Sequence, residues 1–136
     1  MPFTFLPLLL AAVQTTAVEI DLEGLRNSKG VIQACLIRER RHFPDCKADP
    51  GAIRQTVPAR AGRLLFSDLP PGQYAVALFH DENSNAKLDT VLGIPREGFG
   101  FSRNPVVRFG APRYDQVSIE LAPGFTRIRI KVQYLL

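Results

Sequence analysis

Residues 66–80 of the chain read FSDLPPGQYAVALFH, a tight turn followed by an apolar strand. Pro71 and Gly72 suit the two central positions of a type II turn, because proline fixes φ and glycine tolerates the positive φ that comes next. Tyr74 opens the strand, where its hydroxyl can reach the backbone near the turn, as in the tyrosine corner of β-sandwiches. Residues 73–80 are apolar on both faces, which predicts a central strand of a sheet.

Alternation of apolar and polar residues predicts further strands along most of the chain. With residues 73–80, the predicted strands cover residues 18–22, 32–36, 63–66, 107–109, 117–121 and 128–134, and a weaker one covers 53–57. No window shows a convincing helical stripe. Many short strands between turns that carry Gly and Pro predict an all-β fold. The fold class is therefore a single antiparallel β-sandwich of about seven to eight strands with Greek-key connections.

Length and charge fit one ordinary domain and give no indication of nucleic-acid binding. A chain of 136 residues has the usual size of one domain. Its 17 Lys and Arg against 13 Asp and Glu leave a net charge of +4, too small a surplus to imply a basic face. The row Arg127, Arg129 and Lys131 is either a patch for an acidic partner or the solvated face of an edge strand.

The N-terminal segment predicts export. Residues 1–17 carry no charged side chain, and residues 3–13 are almost continuously apolar. This length suits the hydrophobic region of a signal peptide, whereas a membrane-spanning helix needs about 20 apolar residues. The small residues Thr15 and Ala17 place the predicted cleavage after Ala17, which leaves residues 18–136 as a mature domain without a transmembrane span. The predicted location is periplasmic or secreted; a buried first strand or an uncleaved anchor is the alternative.

Two cysteines, Cys35 and Cys46, agree with an oxidising compartment. A single pair in a small exported domain predicts a disulfide. Closing a loop of about 12 residues would stabilise the fold by roughly 3 kcal/mol in the chain-entropy model. Zinc is a poor alternative, because the chain has no CxxC spacing and only two His. Two buried free thiols are the other possibility.

Residues 81–105 show no clear strand, and segments of this length in compact domains are usually functional or disordered. Oxygen-bearing side chains recur there at every second position, with a backbone carbonyl at the seventh, a pattern typical of calcium loops. Ala86 and Leu92 replace the glycine and the bidentate glutamate of an EF-hand, so only weak calcium binding is predicted. The alternative is a metal-free loop whose Asp and Asn side chains bond their own backbone. The predicted calcium ligands are Asp81, Asn83, Asn85, Lys87 and Asp89.

The same segment contains two candidate ligand-contacting aromatic residues, Phe99 and Phe101, each next to a glycine. Their rings could face a sugar or another apolar partner, or they could pack in the core. The predicted partners are a small molecule, a glycan or a protein of the cell envelope, with no nucleic acid.

Four stretches of the chain resemble known families. The turn at residues 69–74, LPPGQY, is similar to that of transthyretin-like and collagen-adhesin B-type sandwich domains, which implies an immunoglobulin-like or transthyretin-like sandwich. Residues 77–90, ALFHDENSNAKLDT, and residues 92–102, LGIPREGFGFS, resemble the bacterial domain-of-unknown-function family 2141, as does GLRNSKG at residues 24–30. The resemblance implies an exported bacterial β-sandwich whose function is not established.

No catalytic motif stands out, so the sequence predicts a non-enzymatic binding or structural module. His80 lies beside Asp81, yet no serine lies in a nucleophile turn such as G-x-S-x-G. One alternative is a small extracytoplasmic hydrolase that uses loop carboxylates such as Asp81, Glu82 or Glu97. Another is an envelope accessory domain that acts only within an assembly.

Overall fold

The computed structural model describes residues 1–8 and 15–136, and the predicted all-β fold is confirmed. The strands are β1 Thr16–Glu23, β2 Val31–Ile37, β3 Ile53–Pro58, β4 Arg63–Leu69, β5 Gly72–Asp81, β6 Thr90–Val91, β7 Ile94–Pro95, β8 Phe99–Phe101, β9 Ile119–Leu121 and β10 Gly124–Lys131. A four-residue helix, α1, spans Tyr114–Val117. Single 3-10 turns cover Arg40–His42 and Ala59–Ala61.

Two main sheets pack face to face. One has the order β10-β1-β4; the other has the order β3-β2-β5-β8, and β9 pairs with the start of β5. Strands β6 and β7 form a separate hairpin. The main core fills the space between the sheets, because every second residue of each contributing strand points inward and is apolar. Its fully buried members include Val18, Ile20, Ile32, Leu36, Tyr74, Val76 and Ile130.

The predicted tyrosine corner is present at the start of β5. Tyr74 is fully buried in the main core, and its hydroxyl donates a hydrogen bond to the carbonyl oxygen of Pro70. The guanidinium of Arg38 lies 5.2 Å from the centre of the ring. The turn and the strand are therefore fixed to each other, as the sequence of residues 66–80 predicts.

One strand pair departs from the predicted antiparallel arrangement. Strand β1 pairs with β10 in parallel along its whole length. The register sets the acidic row of β1 directly against the basic row of β10, and Arg127 Nε lies 2.9 Å from a carboxylate oxygen of Glu19. Arg129 and Glu23 pair at 3.7 Å. The row Arg127, Arg129 and Lys131 thus lies on a solvated edge strand whose charges are matched by its neighbour.

Three sequence predictions about local structure are wrong. The strand predicted at residues 107–109 is irregular chain. Residue Val117, assigned to a strand, ends helix α1, which the sequence did not predict. Residues 81–105, predicted as a loop, contain the hairpin β6–β7 and strand β8. Helix α1, the hairpin and β8 have too few residues to show a period and are held by tertiary contacts. Residues 107–109 offer only two alternating apolar residues, too few to distinguish a strand from irregular chain.

The outer face of the five-stranded sheet carries a second apolar cluster. Helix α1 packs there, and its Tyr114 hydroxyl donates to the carbonyl oxygen of Arg38. Ser102 Oγ is buried and links the helix to the sheet, since it accepts from Val76 N at 3.0 Å and donates to the carbonyl oxygen of Val117. The cluster consists of Ala75, Phe99, Phe101, Tyr114 and Val117, with Phe43, Ala77, Phe79 and Val107 packed against it.

The predicted signal peptide, residues 1–17, includes residues 9–14, which lie outside the described residues. Residues 1–8 are exposed. Strand β1 begins at Thr16, whose hydroxyl donates to the carbonyl oxygen of Ala122 at 3.2 Å. Within the described part of the chain, no helix combines the length and apolar character that crossing a membrane would require.

Candidate functional site

A groove of about 790 Å³ opens on the outer face of the five-stranded sheet, beside the second apolar cluster. Its floor is made by strands β5 and β8, where Ala77 is paired with Phe101 and Phe79 with Phe99. Because residues at alternate positions of a strand share a face, all four side chains point away from the main core. The groove has the size of a typical small-molecule site, about 300–1,000 Å³.

Three segments wall the groove. The first carries Cys46, which is joined by a disulfide to Cys35 of β2. The second is the hairpin β6–β7, which contributes Ile94. The third is the irregular segment 103–113, which contributes Val107 and Phe109. Much of the groove lining is apolar yet exposed: Phe109 is 97% exposed, and Leu88, Ile94 and Leu135 are also open to solvent.

Phe99 and Phe101, the candidate ligand-contacting residues, are both buried, at 6% and 8% exposure. Their ring centres lie 6.1 Å apart, and Phe43 packs edge-on against Phe101 at 5.9 Å. The two rings therefore belong to the second apolar cluster and also form part of the groove floor. Their contact with a ligand stays a prediction.

The predicted disulfide is present, with a Cα–Cα distance of 6.1 Å between Cys35 and Cys46. It ties the irregular segment after β2 back onto the outer face of the sheet. The carbonyl oxygen of Cys46 also accepts a hydrogen bond from Arg54 Nη2 of β3 at 3.4 Å. One wall of the groove is thus held covalently.

Replacing both cysteines with alanine is expected to lower the free energy of unfolding by about 3 kcal/mol, the entropy of closing a loop of about 12 residues. Urea unfolding of the oxidised protein and of Cys35→Ala/Cys46→Ala measures this loss. The wild-type chain under reducing conditions is the control and should lose a similar amount. A double variant as stable as the oxidised protein would contradict a structural role for the bond.

The predicted calcium ligand Asp81 is fully buried, and both its carboxylate oxygens already accept hydrogen bonds. One oxygen accepts from Asn85 N at 3.1 Å. The other accepts from Ala86 N at 2.8 Å and from Gln33 Nε2 at 3.2 Å. These bonds close the loop after β5, because the side chain of Asp81 accepts from backbone N–H groups four and five positions further along the chain.

The remaining polar side chains of this loop converge on Asp89. The amides of Asn83 and Asn85 each donate to its carboxylate at 2.9 Å, and these bonds lower the pKa of Asp89, Asn85 contributing most. The oxygen of the Asn85 amide accepts from Lys87 N at 3.0 Å. The donor set therefore fits a loop closed by its own bonds, and a cation would have to displace several of them. Calcium binding stays a prediction.

Next to this loop lies a small polar pocket of about 230 Å³. At its base is Glu97, a buried carboxylate that accepts from Glu82 N at 2.7 Å and from Asp89 N at 3.1 Å. Of the three acids considered for hydrolysis, Asp81 and Glu97 are thus engaged by backbone N–H groups, and the third, Glu82, pairs with Arg26. Among the described residues, no group of three or more His, Cys, Asp or Glu is arranged to hold a metal ion.

Arg26 is the central residue of this pocket, and sequence reasoning did not single it out. Its Nε donates to Glu82 at 2.6 Å, and its other nitrogens donate to the carbonyl oxygens of Arg96 and Leu136. The hydrogen bond to Glu82 raises the pKa of Arg26, and the same bond lowers the pKa of Glu82. The guanidinium also lies 4.5 Å from the centre of the Tyr134 ring. Only the family resemblance of residues 24–30 pointed to this region.

His80 is fully buried and has a structural position. Its Nε2 lies 2.7 Å from the carbonyl oxygen of Lys29, which can only accept, so Nε2 carries the proton. In the neutral ring Nδ1 then accepts from the Tyr134 hydroxyl at 2.9 Å. The neighbouring Gly30 has φ of +64°, and a side chain there would overlap the carbonyl oxygens of Asp81 and Glu82. His80 and Gly30 therefore hold the turn before β2 against the end of β5.

Residues 20–129 match the model of a family described as "Uncharacterized protein conserved in bacteria (DUF2141)". The chain belongs to this family. The predicted family is thus confirmed. The match extends from β1 into β10 of this DUF2141 chain, and it includes almost all of the groove and the whole Asp81–Asp89 loop. Comparisons with curated proteins and with solved structures find no match. The family description attaches no activity to its members.

Proposed function

We propose that this DUF2141 chain is a non-enzymatic binding module whose groove takes up an apolar ligand. The observation that carries the proposal is the groove itself, a concave surface of about 790 Å³ with an aromatic floor and an exposed apolar rim. Soluble proteins rarely expose contiguous apolar surface without using it for binding. Aliphatic and aromatic lining with a few polar groups is the usual character of a small-molecule site.

A role without catalysis is supported by what the carboxylates near the groove already do. Asp81 and Glu97 are buried and accept hydrogen bonds from backbone N–H groups of the neighbouring loop. A carboxylate that serves as acid or base must be able to reach a substrate proton. Both residues are instead part of the framework that shapes one end of the groove, to which Ala86 and Leu88 belong.

Export to the periplasm or beyond the cell is part of the proposal. The apolar residues Phe3 and Phe5 are exposed, as expected for the start of a segment that is recognised in transit. The disulfide also supports an oxidising compartment. Removal of residues 1–17 would shorten β1 by two residues and would remove the bond from Thr16 to Ala122.

Binding can be tested with N-phenyl-1-naphthylamine, a neutral apolar dye that fluoresces when it leaves water. We expect the protein to bind it saturably at one site. Phe109→Ala removes a ring from the rim of the groove and is expected to weaken binding roughly tenfold, equivalent to about 1.4 kcal/mol. The matched control is Phe125→Ala on β10, which removes an exposed phenylalanine outside the groove and should change nothing. Absence of saturable binding, or equal effects of the two variants, would sink the proposal.

A further inference from the structure

The charged side chains that line the groove are all basic. They are Lys47, Arg54 and Arg108, and the other polar side chains in the lining are the uncharged Gln33 and Thr56. Among the described residues that line the groove, there is no aspartate or glutamate. An apolar floor bordered by charges of one sign is complementary to an amphiphile whose head carries the opposite sign.

We infer that the ligand of the groove is a long-chain carboxylate, a fatty acid, whose chain lies on the aromatic floor and whose head is attracted by the basic side chains of the lining, Lys47, Arg54 and Arg108. The inference rests on the proposed function and adds the chemical class of the ligand. It follows from the position of the basic side chains beside an apolar groove. A neutral apolar ligand would make no ionic contact with these side chains.

The disulfide fixes two of these cations near each other. Arg54 on β3 is directly opposite Cys35 in the sheet register, and its Nη2 reaches the carbonyl oxygen of Cys46. Lys47 follows Cys46 in the chain. Because the bond between Cys35 and Cys46 anchors this segment, Lys47 and Arg54 lie on the same side of the groove. Arg108 comes from the segment 103–113, which supplies another wall.

The ion pairs of the described residues do not include these three cations. Arg127 and Arg129 on β10, by contrast, are paired with Glu19 and Glu23. The guanidinium of Arg54 keeps donors available for a carboxylate, and arginine can present two parallel N–H groups to such a head. The Thr56 hydroxyl donates to the side-chain oxygen of Gln33 at 2.6 Å, so these two oxygens do not occupy the donors of Arg54.

The test compares oleate with oleyl alcohol, which has the same chain and a neutral head, by displacement of N-phenyl-1-naphthylamine below the concentration at which oleate forms micelles. We expect oleate to bind roughly tenfold more tightly than the alcohol, the sum expected of three exposed charge contacts. The preference should shrink as salt is added, since exposed charge interactions are screened.

The variant Lys47→Gln/Arg54→Gln/Arg108→Gln is expected to bind the two ligands equally and to keep the affinity of the alcohol. The control Lys29→Gln/Arg41→Gln/Arg60→Gln removes the same net charge from exposed positions outside the groove lining and should retain the preference. Equal binding of oleate and alcohol by the wild type would overturn the inference and leave the groove as an apolar site. A preference that survives the first triple variant, or that both triple variants lose alike, would also overturn it. If neither the dye nor the alcohol binds, the proposed function itself fails.

Discussion

Phe99→Ala is expected to lower the free energy of unfolding by about 3–5 kcal/mol, the usual cost of truncating a buried phenylalanine. The ring is 6% exposed and packs with Phe101 on the outer face of the sheet. Its backbone also exchanges two hydrogen bonds with Gln133, so that β8 cannot move inward to fill the space. The loss therefore includes both the apolar transfer term and a cavity term.

Denaturant unfolding of the two proteins measures this difference. The matched control is Phe109→Ala, which truncates a groove phenylalanine that is 97% exposed and is expected to cost less than about 0.5 kcal/mol. If Phe99→Ala unfolded at the same denaturant concentration as the wild type, the ring would contribute nothing to packing. It would then have to be assigned to ligand contact alone, and the described burial of the second cluster would be wrong.

Asp81→Ala is expected to destabilise the fold by about 2–5 kcal/mol, because it removes a fully buried carboxylate that accepts hydrogen bonds from Asn85 N, Ala86 N and the Gln33 amide. The same loss is expected in EDTA and in millimolar CaCl₂, since hydrogen bonds within the loop do not depend on a metal. The control is Asp45→Ala, an exposed aspartate that makes the same kind of contact to Lys47 N and Ala48 N. Water can replace the lost acceptor there, so its cost should stay below about 1 kcal/mol.

The calcium prediction is decided by the wild-type protein in the same experiment. At a hundred times the dissociation constant, a bound ion would add about 2.7 kcal/mol to the free energy of unfolding. Because the oxygens of Asp81 are already occupied, we expect the melting temperature to be equal in CaCl₂ and in EDTA. A rise in calcium that disappears in Asp81→Ala would instead establish the metal site that the spacing of residues 81–89 predicts.

The sequence predicts the long strands well, for a physical reason. Strands β1, β2 and β10 each place alternate apolar residues in the main core, and β5 is apolar on both faces because both of its faces are covered. The parallel pairing of β1 with β10 is not visible in the same pattern. A strand with one solvated face alternates identically whichever way its neighbour runs.

The outer face of the sheet is where prediction from the sequence fails. Helix α1 is too short to show a helical stripe. It is held by the Ser102 hydroxyl, which bonds to the carbonyl oxygen of Val117, 15 positions further along the chain. Val107 and Phe109 suggest a strand by their spacing, yet they are placed as part of a groove wall. The groove gathers side chains from segments far apart in the chain, so no local pattern reveals it. For the Asp81–Asp89 loop, the spacing of the residues predicts which side-chain oxygens lie together. It cannot show that backbone N–H groups already donate to those of Asp81.

The parallel pair of β1 and β10 has a consequence for the order of events during biosynthesis. Glu19 and Arg127, which pair across these strands, are 108 positions apart in the chain. Contacts of such long range are formed late and make folding slow. A polypeptide still emerging from a ribosome lacks β10, so β1 has only β4 as a neighbour and the core face of Ile20 stays open on one side. We therefore expect folding of the domain to be completed only after its last strand has been synthesised.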